Sequence, residues 1–419
     1  MVSLRLEGRV GADIQTCFTD SQENGTCATL LPLFQANRDD LKTEDYRSHF
    51  LDARKLDLTD ILLTAEEANS FRQHLVFTIL RIIINHGGEG FKWFEKDLSK
   101  NQPFTTDKIQ LHKTDIYPLP TWPIDESSIA GNIEVDRAIV KELGLDVDPE
   151  FWKHLRFLGG DQLSAARIRS VENLRAGQQT GYDAFFGATW IPGLFHGKIA
   201  DATGTLLTHW GKPNTGACNP GSLWFHNTQL NRLPITLTSL PLFRICRDLI
   251  FVSLYARVLH CLLLVAGTHS LDEYVTKFGK WDTLVAHAEQ VYDNYSATAV
   301  AAKLRQARAR SQRSQSGCTS NEAHNSRDGD HPKSDEGNIV FENAVLFFRD
   351  ALISREFSDA VKAGDSGRVV LVLKIWALSF RGNGRTKYAY EMLHLVHNLT
   401  SVWSPQIRYV MLFTRLLSC

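Results

Sequence analysis

The stretch "HLRFLGGDQLSAARIRS", His154–Ser170, holds the turn on which the reading of this chain depends. A short apolar run ends in Gly159 and Gly160, and Asp161 stands where a helix begins. The following "SAARIRSVENLRAG" has helical spacing. A strand running into Gly-Gly-Asp puts the carboxylate at the strand's C-terminal edge, where α/β proteins bind ligands. The same aspartate is a good helix N-cap, because its side-chain oxygen accepts from the first free amides. Both readings of Asp161, cap and functional carboxylate, are open at the level of sequence.

Downstream, "FFGATWIPGLFHGKIADATGTLLTHWG" predicts a second strand and a further helix. Upstream, Asp57–Asn85 is helical in spacing, with Thr64 before Glu66 and Glu67 as its N-cap and "NHGGEG" as its stop. "KIQLHKTDIYPLP" alternates as a strand that prolines 118, 120 and 123 should stop. "IDESSIAGNIEVDRAIVKELGL" predicts a turn and then a helix ending near Gly144. From Leu233 to about Ala302 the pattern is almost wholly helical. Between Lys303 and Gly337 it turns polar and rich in Ser, Arg and Asp, which predicts a disordered linker. Helical periodicity resumes at "NIVFENAVLFFRDAL".

The fold class expected is α/β and predominantly helical. The expected organisation has an N-terminal part of an α/β core over 1–120 and a central α/β segment over 121–232. A helical insertion over 233–302, the linker 303–337 and a C-terminal helical segment over 338–419 complete it.

Lys and Arg (46) nearly cancel Asp and Glu (47), so no overall field advertises a polyanionic partner. Seven cysteines, none spaced as CxxC, argue against a disulfide framework or zinc ribbon. The N-terminal stretch has no apolar h-region, so secretion is not expected. Leu249–Gly267 is apolar, but Arg257 and His260 sit mid-span, which fits a core helix better than a membrane span. A soluble nuclear or cytoplasmic protein with no membrane partner is expected. Without a Walker A or G-x-G-x-x-G loop, no nucleotide cofactor is expected either.

A second carboxylate, Glu391, lies in "GNGRTKYAYEMLHLVHNL". With Thr386 as N-cap it falls about a turn and a half into a helix, among apolar and aromatic neighbours. A carboxylate on such a face needs a cation or metal, or a salt bridge to Arg385 or Lys387. Three other motifs carry less. Gly-Asp-Ser-Gly at 364–367 has helical flanks and reads as a helix stop and start rather than a protease nucleophile. His394 and His397 share a helix face but lack a third ligand at zinc spacing. The acid-free run Lys303, Arg305, Arg308, Arg310, Arg313 reads as a solvated linker or a weak nuclear-localisation patch.

The blocks "NGTCATLLPL", "PLPTWPIDESSIAGN", "FLGGDQLSAARIR", "WIPGLFHGKIA", "PLFRICRDLI", "FENAVLFFRDALISREFSDAVKAGDSGRV" and "ALSFRGNGRTKYAYEMLHLVHNL" follow one another along nearly the whole chain. In this order they resemble a fungal family of unknown function, the domain family numbered six-five-eight-nine. The resemblance implies a transposase-derived protein with a ribonuclease-H-like mixed sheet core interrupted by a large helical insertion. It implies catalytic and metal-ligating roles for Asp161 and Glu391, with Mg²⁺ or Mn²⁺ as cofactor and DNA as substrate. Arg385 and Lys387 would contact phosphate. The family pattern has an Asp-Asn on an early strand ahead of the "NGTCATL" block. Here only Asp13 and Asp20 stand nearby, so a truncated or degenerate copy is expected.

Two functions follow as expectations. One is metal-dependent cleavage or strand transfer on DNA phosphodiesters, inactive if the first aspartate is lost. The other is a non-catalytic interaction protein that keeps the fold, with Asp161 a cap and Glu391 half of a salt bridge.

Overall fold

The computed structural model describes residues 2–7, 21–105, 107–175, 177–178, 187–212, 219–239, 241–316 and 339–413. The chain forms two compact units. Unit 1 gathers 1–63, 106–197 and 361–419, and unit 2 gathers 64–105 and 198–360. Helices predominate, and the strands form two small sheets.

In unit 1, β1 (Val2–Glu7), β2 (Ser21–Leu30) and β3 (Tyr117–Trp122) pair antiparallel in that order. The register sets Thr29 against Pro118, with an irregularity between Cys27 and Thr29. The strand expected from Lys108 begins instead at Tyr117 and contains Pro118 and Pro120, two of the prolines meant to stop it, and ends just before Pro123. β3 is an edge strand, where a missing N–H costs no ladder bond. The alternating residues ahead of it serve another purpose. Ile109 donates its amide to Gly364 (2.7 Å), and Lys108 bridges Asp365.

β4 (Arg156–Gly160) and β5 (Ala188–Pro192) form a parallel pair in register from Arg156↔Ala188 to Gly160↔Pro192. The helix Gln162–Leu174 connects them, as the opening stretch predicts. Its face carrying Ile168 and Val171 packs against Ile133 and Trp190. Ile133 comes from the helix Ile129–Glu142, capped by Ser128. Arg156 secures the start of β4, pairing with buried Asp136 (3.3 Å) and stacking on Phe151 and Trp152.

The C-terminal part of unit 1 supplies the helices Ser366–Gly382 and Thr386–His397. Gly364 ends the preceding helix at φ +64°, and Asp365 accepts from the Arg368 amide (3.1 Å) to start the next. Gly-Asp-Ser-Gly is therefore a helix junction, with Asp365 and Ser366 both buried. The two helices pack on each other and bury Trp376, Phe380, Met392 and Leu395.

The described residues of unit 2 form helices joined by turns and loops. Thr64 and Glu67 form a capping box for Ala65–His86, which buries Leu75, Ile79, Ile82 and Ile83. The helix Phe243–Ala266 packs against it and ends at Gly267, φ +62°. Among the described residues this is the one helix long and apolar enough to cross a membrane. Leu249, Leu254, Val258 and Leu262 along it are fully buried.

Unit 2 also holds Leu223–Gln229, Leu271–Phe278, Trp281–Tyr295 and Thr298–Ser316, with most of Leu194–His209 and Ile339–Ala363. Residues 303–316, expected to be disordered, continue the helix Thr298–Ser316. Composition missed a tertiary ion pair: Arg305 and Arg308 hold the buried Glu342 carboxylate at 3.0 and 3.1 Å. The rest of the expected linker, 317–337, lies outside the described residues.

Candidate functional site

Asp161 follows β4 directly and caps the helix Gln162–Leu174, its Oδ1 accepting from the Ser164 amide at 2.7 Å. The cap reading of the sequence is therefore correct. Partial burial disfavours the carboxylate, but Ser164, the His196 ring and the Leu163 amide outweigh it and hold the carboxyl below its ordinary range. The two glycines before it differ. A Cβ on Gly159 would meet nothing, whereas one on Gly160 would press on Ser164 and Trp190 at 3.2 Å.

Glu391 lies on the helix Thr386–His397 and is fully buried. Its partner is neither Arg385 nor Lys387, the sequence candidates, but Arg169 of the helix Gln162–Leu174. The Arg169 guanidinium donates to Glu391 Oε1 and stacks over Tyr390, 5.5 Å from the ring centre. Oε2 of Glu391 is buried without a hydrogen-bond partner.

The two carboxylates approach a common residue. Burial raises the Tyr388 hydroxyl, the charges of Asp161 and Glu391 raise it further, and Arg385 opposes them. Fold geometry explains this: the helix Thr386–His397 packs on both β5 and the helix Gln162–Leu174.

The chain matches the Family of unknown function (DUF6589) over residues 50–418. It belongs to that family. No curated protein and no solved structure matches it.

In this DUF6589 chain, Arg169 organises more than Glu391. Burial raises Glu172, one helical turn on, to about 7 despite the pull of Arg169. Tyr46 rises to about 12 through burial and the nearby Glu172 charge. His394 is pushed down to about 4 by burial, then by Arg169 and His397. Its ring Nδ1 lies 3.3 Å from the Asn398 side-chain amide, and His397 Nε2 lies 2.8 Å from the Arg54 carbonyl. The histidine pair thus serves packing and backbone contacts.

The residues of this DUF6589 chain do not fit a two-metal site as they stand. A guanidinium occupies one oxygen of Glu391, and a cap bond engages Asp161. A Mg²⁺ or Mn²⁺ ion beside Arg169 would meet like charge, and Mg²⁺ needs several oxygen ligands to give up its waters. Among the described residues no group of three His, Cys, Asp or Glu side chains could hold a metal. Asp13 and Asp20 lie outside the described residues.

Arg385 and Lys387 flank the turn that starts the Glu391 helix, where Gly384 takes φ +81°. Lys387 and Arg381 are exposed, whereas Arg385 is half-buried with its Nε unpartnered. Sequence reasoning missed Arg169 and Glu172. Their only sequence signal is their i, i+3 spacing beside the buried Ile168 and Val171.

Proposed function

We propose that this chain is a transposase-derived protein whose unit 1 descends from a ribonuclease-H-like core and now acts by binding DNA rather than cutting it. The antiparallel β1–β3 sheet, the parallel β4–β5 pair, Asp161 at the end of β4 and Glu391 on a late helix support that descent. The observation carrying the loss of chemistry is the buried Arg169–Glu391 ion pair. A carboxylate neutralised in this way is structural, and displacing its guanidinium would leave a buried cation unpaired.

DNA remains the partner because Arg381 and Lys387 are exposed around the turn that opens the helix Thr386–His397. The first turn of that helix has no acidic residue, and its free amides favour phosphate.

The test is fluorescence anisotropy of the full chain on duplex DNA, alongside plasmid nicking and thermal melts in Mn²⁺ or Mg²⁺. The expected result is salt-dependent binding that Arg381→Glu with Lys387→Glu weakens at least about tenfold, each lost phosphate contact lowering the salt slope by about 0.9. Neither metal should shift the melt or produce nicks. DNA affinity unchanged in the double variant overturns the binding surface. Metal-dependent nicking or stabilisation lost in Glu391→Gln overturns the non-catalytic reading.

A further inference from the structure

Unit 2 contains a cavity of about 460 Å³ between the helices Phe243–Ala266 and Ile339–Ala363 and the turn at Pro220. Its walls are mainly apolar, with Leu264, Val340, Phe341, Val345 and Phe348 among them. Arg257 breaks that pattern. Its guanidinium lies 4.4 Å from the Phe347 ring centre and donates to the carbonyls of Ala344 and Gly221, both at 3.1 Å. Its other contacts are the Pro220 carbonyl and His226 Nε2, at 3.4 and 3.3 Å.

Every one of these partners is neutral. Burial, then the charge of Arg257, pushes His226 down to about 4, so the imidazole carries no charge near neutrality. Burial pushes the Cys261 thiol up to about 12 and raises the Tyr295 hydroxyl, so neither supplies an anion. Among the described residues no carboxylate pairs with Arg257. Burial lowers Arg257 itself to about 10, which still leaves it a cation at neutral pH.

A half-buried guanidinium whose acceptors among the described residues are all neutral is costly to hold among apolar walls, and an apolar residue at this point of an apolar helix would avoid the cost. With five N–H donors and three backbone carbonyls in reach, the fork keeps donor capacity beside the cavity that it lines. We infer that this cavity binds an amphipathic monoanion, an organic carboxylate whose head meets Arg257 and whose apolar body lies against Leu264, Val345 and Phe348. One cation in an apolar chamber suits a single negative charge rather than a phosphate, and the volume falls in the range of small-molecule sites.

The test is isothermal titration calorimetry of the full chain with decanoate and with decan-1-ol, which share an apolar body and differ in charge. Decanoate should bind saturably and at least about tenfold more tightly than the alcohol, as a charge-assisted contact requires. Arg257→Met should abolish that preference and Arg257→Lys should keep most of it. Leu264→Trp, which changes a half-exposed wall residue and no hydrogen bond, should weaken both ligands. Absence of saturable decanoate binding, equal affinity for acid and alcohol, or a folded Arg257→Met that keeps the preference overturns the inference. Should Arg257→Met fail to fold, the acid–alcohol comparison and Leu264→Trp still decide it.

Discussion

Arg169 and Glu391 stand 222 positions apart and meet in an ion pair whose carboxylate is wholly buried. The pair ties the helix after β4 to the helix Thr386–His397, joining two distant segments of unit 1. Arg169→Met leaves a buried carboxylate without its cation and should cost about 3–5 kcal/mol in urea unfolding. Arg169→Met combined with Glu391→Leu removes both charges and should recover most of that loss. A double-mutant cycle with little coupling would show that the pair is not the tie.

How much of this arrangement could be read in the sequence depends on whether a feature is local. Thr64, Asp161, Gly364 and Asp365 act within a turn of themselves, and each does what its neighbours predict. The β4–helix–β5 succession is legible for the same reason. The strand at Tyr117 was misplaced because edge position, which excuses Pro118 and Pro120, is a property of the sheet. The helix through Lys303–Ser316 was missed because its support, Glu342, lies beyond the polar stretch. Glu391 was recognised as a buried carboxylate needing a cation, but local spacing pointed to Arg385 and Lys387, whereas the fold supplied Arg169.

Two groups around Arg169 impose opposite pH dependences on unit 1. Glu172 has an ordinary value of 4.5 and is raised to about 7, so between these limits the folded chain binds more protons than the unfolded one. Its contribution is therefore greatest at low pH and is lost as pH rises to about 7. His394, pushed from 6.5 to about 4, makes the unfolded chain bind more protons in that window, so stability recovers as pH rises through it. Glu172→Gln should gain on the parent by about 1–3 kcal/mol between pH 4.5 and 7, and His394→Asn should lose ground between pH 4 and 6.5. Urea midpoints across this range check both, and parallel profiles for parent and variants would refute them.

The Gly159–Gly160 pair makes a sharp contrast available. Gly159→Ala adds a methyl to open space and should leave stability within about 0.5 kcal/mol of the parent. Gly160→Ala drives a methyl against Ser164 and Trp190, both part of the β4–helix junction, and should cost about 1–3 kcal/mol. Thermal melts of the two variants distinguish them, and equal losses would mean that the junction has room to yield.

Asp161 can be separated into its two capacities by one pair of substitutions. As a cap it needs only an oxygen acceptor for the Ser164 amide, which asparagine also provides. As a charge it needs ionisation, and its depressed carboxyl means that this part of its stabilisation is present above the unfolded value of 3.8 and fades as pH falls through the folded one. If capping dominates, Asp161→Ala should lose about 1 kcal/mol at neutral pH while Asp161→Asn stays within about 0.5 kcal/mol of the parent. The gap between Asp161→Asn and the parent should close in acid, because both then present a neutral acceptor. Urea unfolding at neutral and acid pH measures both differences. An asparagine variant that loses as much as alanine at neutral pH would mean that the negative charge matters more than the cap.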